Sequence, residues 1–229
     1  MRDTEIDEAL AKAARVPREV PAELLTRIAD TIEPAMQPVR VLPSTWVLIG
    51  GLVLISGAVA LLGAARAGFQ GVEALAIPAR VLIFGTLALL TCVAAAQLVS
   101  EWIPGSPRRL TPAALLALVS ITLLGVFTFL FHDYRTEHFL TAGLACFSTG
   151  LLHAAPVALL GWWWLRRGWA MDTVSAGLTA GVLAGLAGMT VLELNCTDSQ
   201  APHVLVWHTL VVPASAAVGA VAGRLLRSL

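Results

Sequence analysis

The chain has 229 residues, of which 57% are hydrophobic and 13% charged, with 15 acidic and 15 basic side chains. A mean hydropathy of +0.79 lies outside the range of soluble globular domains and makes this a membrane protein, while zero net charge argues against direct nucleic-acid binding. The three cysteines, Cys92, Cys146 and Cys196, are widely spaced and form no CxxC, which excludes a zinc ribbon, a thioredoxin-type motif and a disulfide scaffold.

The first 44 residues read as a separate cytoplasmic module, polar and rich in acids, with eight acidic against six basic side chains. They lack the basic and apolar regions of a signal peptide and are expected to stay on the mature chain. Ile6 and Leu10 fall along one side of a short helix that Thr4 and Asp7 can cap. A second helix can begin at Pro21 and carries Leu24, Leu25, Ile28 and Ile32 at helical spacing. Neither helix can bury its stripe alone. An acidic balance disfavours docking on lipid, so these apolar residues are expected to bind a cytosolic protein partner. PVRVLPS, residues 38–44, is a stiff linker into the bilayer.

Beyond it, residues 45–229 divide into six apolar runs, each near the roughly 20 residues that a bilayer core requires, at about 45–66, 78–100, 111–131, 139–165, 173–194 and 204–224. The fold class predicted is therefore all-α: a polytopic bundle of six transmembrane helices behind a short helical N-terminal segment. Arg40, Arg108, Arg109, Arg166, Arg167, Arg224 and Arg227 fall on one side of such a bundle, which predicts both termini in the cytoplasm. Trp162, Trp163, Trp164 and Trp169 anchor the inner end of the fourth run.

Small residues recur every four positions at Ser56, Ala60 and Ala64, at Gly177, Gly181 and Gly185, and at Ser215, Gly219 and Gly223. Packing within the bundle is the favoured use of these stripes, with a homodimer seam as the alternative. Pro156 and Pro213 should kink the fourth and sixth helices.

The stretch LELNCTDSQAPHVLVWH, residues 192–208, and FHDYRTEH, residues 131–138, are the chemically rich outer loops. Together they bring His132, Asp133, Glu137, His138, Glu193, Cys196, Asp198 and His203 to one face, with His208 just inside the last helix. Cys196, His203, His208, Glu193 and His153 are the candidate ligands for a soft or borderline metal, yet no spacing among them is diagnostic. His203 and His208 lie about 140° apart around a regular helix, so one ion would not easily take both. Cys146 and Cys196 both belong to the outer half. They can pair only if the loop before the last helix dips inward, because a disulfide needs Cα atoms within about 7 Å. Cys92 reads as packing. His153, three residues before Pro156, is equally a functional ionisable group and a neutral histidine bonded to a carbonyl that the proline frees. Two intramembrane histidines are too few for a two-haem protein. No catalytic motif is present, and the chain is not expected to be an enzyme.

WLRRGWAMDTVSAGLTAGVLAG and LNCTDSQAPHVLVWH resemble the inner loop, Gly-rich fifth helix and most recognisable motif of the NrsF-like anti-sigma factors, six-span inner-membrane proteins. That motif typically reads His-Cys-Pro, a short acidic loop, then Trp-Tyr. Cys196, Asp198 and Trp207 are retained here, while Asn195, Thr197 and His208 depart from it. The resemblance implies a protein that sequesters an extracytoplasmic-function sigma factor and releases it on a metal or oxidative signal, with Cys146 and Cys196 as sensors. It implies no resident cofactor, only a heavy-metal ion bound transiently. A small metal-ion or proton transporter, with His153, Glu193 and His208 along its path, is the competing reading.

Overall fold

The computed structural model describes residues 22–23, 26–27, 43–103, 106, 110–166 and 172–227. The chain divides after Leu42, and the described fold is that of the second unit, Pro43–Leu229. Ile6, Leu10, Leu24, Leu25, Ile28 and Ile32, read above as partner-binding, lie outside the described residues. So do Arg40, Arg108, Arg109, Arg167 and Trp169.

All regular elements among the described residues are helical, and six of the helices are long and apolar enough to cross a membrane. They are α1 (Thr45–Ala67), α3 (Ile77–Trp102), α4 (Pro112–Leu130), α5 (Phe139–Leu165), α6 (Thr173–Asn195) and α7 (Ala201–Leu226), with a short α2 (Gln70–Ala74) between the first two spans. Leu54, Leu61, Leu89, Ile121, Leu152 and Val218 are exposed on the outside of the bundle, as lipid-facing residues should be. The predicted boundaries agree within about three residues. Only α2 was unforeseen, since five residues cannot establish a helical period.

The fifth span is the axis of the bundle. About four-fifths of its apolar window is buried (78%), against 22–39% for the other five. Its composition explains this placement, because glycine and alanine on every side let neighbouring backbones approach and leave no polar face needing water. A Cβ on Gly177 would fall 2.3 Å from the Gly219 carbonyl oxygen, and one on Gly181 would fall 2.3 Å from that of Ser215. A Cβ on Gly188 would fall 2.2 Å from the Gly150 oxygen of α5. The α6 and α7 small-residue stripes thus face each other. Ser56, Ala60 and Ala64 of α1 are also buried. The favoured use of these stripes, packing within the bundle, is seen for all three.

Local signals set the helix starts. Thr111 accepts a hydrogen bond from Ala114 N ahead of Pro112, and the Asp172 carboxylate accepts from the backbone N–H groups of Val174 and Ser175. Near the same end, Gln97 donates to Leu110 O (2.8 Å) and to Glu101 Oε1 (3.2 Å), and Thr179 Oγ1 donates to that same oxygen at 3.0 Å. Trp102 packs edge-on against Trp164 beside them, with ring centroids 4.5 Å apart.

Candidate functional site

The register between α5 and α6 decides where the cysteines go. The two helices run antiparallel, and Gly150 packs on Leu192 and Gly188. Cys146 is one turn before Gly150, and Cys196 is four residues beyond Leu192, so the same faces carry both sulfurs to one level. Their Sγ atoms are 3.4 Å apart. Cys196 is the C-cap of α6, its N–H bonded to Leu192 O at 2.7 Å. The chain then turns inward instead of out toward solvent. Two neighbours hold it there: Ala201 N donates to Asp133 O at 2.7 Å, and Gly71 of α2 lies so close that a Cβ would meet Cys196 O at 2.7 Å.

The last span opens with a feature that a regular-helix reading cannot foresee. Val204–His208 form a π-helical turn. Its wider i→i+5 spacing stacks residues five apart, which brings the His203 and His208 rings together with centroids 5.2 Å apart. The expectation that the two imidazoles diverge rested on a regular helix, and the π turn removes that condition. The turn is supported by Thr209: its backbone N–H goes to Val206 O, and its hydroxyl takes the Leu205 carbonyl that an α-helix would have bonded to that N–H.

Four side chains converge as a result. One potential ligand atom each from Cys146, Cys196, His203 and His208 lies within 4.8 Å of the others. Cys196 Sγ is 3.6 Å from His203 Nε2. The other ring nitrogens face carboxylates, with His208 Nδ1–H donating to Glu193 Oε1 at 2.6 Å and His203 Nδ1 lying 3.4 Å from Asp198 Oδ2. Both rings and Glu193 are buried. His208 Nε2 is buried without a hydrogen-bond partner. The Cys196 thiol is pushed above the ordinary thiol range, first by its hydrogen bond to Cys146 and then by burial, with His203 acting in the opposite sense.

Trp207 closes the flank. Its ring packs on Phe139 and Phe147, and it occupies the place where a Cβ on Gly143 would stand, 2.0 Å from Nε1. Here the missing side chain makes room for the indole.

The remaining predicted residues fall elsewhere. Glu193 backs His208 and is not one of the four convergent ligands. His153 Nδ1–H donates to Thr149 O at 2.8 Å, one turn back and not to a carbonyl freed by Pro156, and its ring packs over Gly63 of α1. It is not part of the cluster. His132, Glu137 and His138 are exposed, and the Asp133 carboxylate is taken by Arg135 in a two-pronged ion pair of 2.7 and 3.0 Å that lowers its pKa. That loop reaches the site through the Asp133 carbonyl and the buried Phe131. Cys92 is exposed on α3. The buried Glu101 was passed over because it sits in a charged separator, EWIPGSPRR, that reads as loop. Its position four residues after Gln97 was the available signal.

Among protein families, the model for NrsF, negative regulator of sigma F, matches residues 28–227. No curated protein and no solved structure matches the chain.

Proposed function

Since the chain belongs to the NrsF family of negative regulators of a sigma factor, we propose that it is a membrane-bound anti-sigma factor that holds an extracytoplasmic-function sigma factor through residues 1–44. Both termini lie in the cytoplasm of a bacterium, the six spans cross the inner membrane, and the Cys196 end faces outward. The signal is read at Cys146 and Cys196, and their 3.4 Å separation is the observation that carries this part of the reading. A disulfide requires a sulfur–sulfur distance of about 2.05 Å, so closing the bond asks for a shift of roughly 1.4 Å. With hydrogen peroxide as oxidant, the two thiols give up two electrons and two protons and the peroxide becomes two waters. A metal ion could draw the same sulfurs together without electron transfer.

Such a shift is small, but α6 meets α5 at Gly150 and Gly188 and packs backbone to backbone on α7 at Gly177, Gly181 and Gly185, so strain at one end is carried by rigid elements to the other. The signal must favour one of two bundle packings, and the N-terminal segment must bind sigma better in the other. The test uses the full-length protein in detergent with the extracytoplasmic-function sigma factors of its own organism. One sigma factor should be captured under reducing conditions and released by peroxide. Cys146→Ser and Cys196→Ser should capture it and not release it. Capture of none would overturn the sigma assignment, and normal release from both mutants would overturn the thiol mechanism. Ion flux in proteoliposomes would instead favour a transporter.

A further inference from the structure

We propose that Cys146, Cys196, His203 and His208 form a closed four-coordinate site for one thiophilic divalent cation of the zinc and cadmium class, backed by Glu193 and Asp198. This deepens the signalling reading above and rests on it for its role in the cell.

The donor set is two sulfurs and two imidazole nitrogens, the combination that suits tetrahedral zinc and its heavier congener. Metal–sulfur bonds of about 2.3 Å and metal–nitrogen bonds of about 2.0–2.1 Å place the ligands of a tetrahedron roughly 3.3–3.8 Å apart. The observed sulfur–nitrogen distance of 3.6 Å matches the edge expected for that pair, and the sulfur–sulfur distance of 3.4 Å is a few tenths of an ångström short of the roughly 3.8 Å edge between two sulfurs. All four atoms already fall within 4.8 Å of each other, so small rotamer changes complete the polyhedron.

The outer partners point the same way. A metal-bound histidine commonly hands its second ring nitrogen to a carboxylate, which fixes the tautomer and raises its basicity. His208 does so here, to Glu193, and His203 Nδ1 lies 3.4 Å from Asp198 Oδ2, near that arrangement without a formed hydrogen bond. His208 is thereby left with a buried Nε2 that faces the Cys196 sulfur without a well-formed hydrogen bond. An orphaned nitrogen of this kind costs free energy unless a ligand takes it. The π turn supplies the last condition, since without it the two imidazoles would diverge around the helix. Hard cations such as calcium and magnesium are disfavoured because the carboxylates are committed to the imidazoles and the convergent atoms are sulfur and nitrogen.

Cobalt(II) added to the reduced, metal-free, full-length protein in detergent micelles is the test, with Cys92→Ser as the background so that two thiols are read. The expected result is one cobalt per chain, the intense visible bands of a tetrahedral ion, a sulfur-to-cobalt charge-transfer band, displacement by zinc, and protection of both thiols from a disulfide reagent. His203→Gln and His208→Gln should each weaken binding at least ~10-fold and alter the visible bands. Asp198→Asn and Glu193→Gln should weaken it by roughly 10–100-fold and leave band positions in place, as loss of outer partners does. The site is overturned if cobalt gives only weak octahedral bands, if the spectrum is the same in both histidine variants, or if no cobalt binds while both thiols still titrate as free. No sigma factor is present in this assay. A tetrahedral cobalt spectrum without metal-driven sigma release would therefore refute metal signalling and leave the site standing, whereas peroxide-driven release without cobalt uptake would refute the site alone.

Discussion

The two ends of α6 both bury a glutamate, but they treat it differently. At one end Glu101 Oε1 accepts from Gln97 and Thr179, and Gln97 also donates to the Leu110 carbonyl just ahead of α4, a polar knot that ties these segments together. At the other, Glu193 grips His208, whose remaining nitrogen and whose sulfur neighbours keep unused valences. A carboxylate oxygen shared by two donors from different helices ties a structure together, whereas a buried imidazole grouped with a second imidazole and two thiols is equipped to receive something.

Mutations can test the contrast. The largest effect is expected for Glu193→Ala, which leaves the His208 ring buried without its carboxylate and should cost about 3–5 kcal/mol. Unfolding of the purified protein in mixed micelles would measure it, and a loss below about 1 kcal/mol would show that the pair carries little. Next is Gly181→Leu at the middle of α6, where even a Cβ would sit 2.3 Å from a backbone oxygen. Overpacking there should cost about 3 kcal/mol and should also uncouple the ends, so that sigma release is lost while the reduced cysteines stay reactive. Thr179→Val removes one bond to Glu101 and should cost about 1.5 kcal/mol, with release by peroxide unchanged if this end is a fixed tie.

The smallest effect is kinetic. Because the Cys196 thiol is held high by its bond to Cys146, its thiolate fraction at neutral pH is reduced, and it should be alkylated by iodoacetamide more slowly than a free cysteine. Cys146→Ala removes the leading cause, so the pH midpoint of the reaction should move down toward the ordinary thiol value and the neutral-pH rate should rise. Mass spectrometry of the alkylated peptide in the Cys92→Ser background reads this. An unchanged midpoint would mean that burial alone governs the thiol.

Much of the fold was legible from hydropathy, because a bilayer imposes a length and a polarity on every span and loops must carry the charges. The six helices, the polar gathering around Cys196 and the placing of Cys146 and Cys196 in the same half of the bundle were all readable along the chain. The register that joins the sulfurs was readable in principle, since 146–150–154 and 188–192–196 are matching four-residue series on Gly-rich helices, but it becomes visible only once α5 and α6 are known to touch.

The amino-acid order by itself determined a membrane bundle with one chemically rich end, through the period and length of its apolar runs. Only the tertiary structure decided which of those rich residues meet. A π turn depends on a local trade between Thr209 and the Leu205 carbonyl, and an inward loop depends on a backbone bond to Asp133 in the loop between α4 and α5. Neither leaves a periodic trace, because each is a single contact made between partners that the chain brings together only on folding.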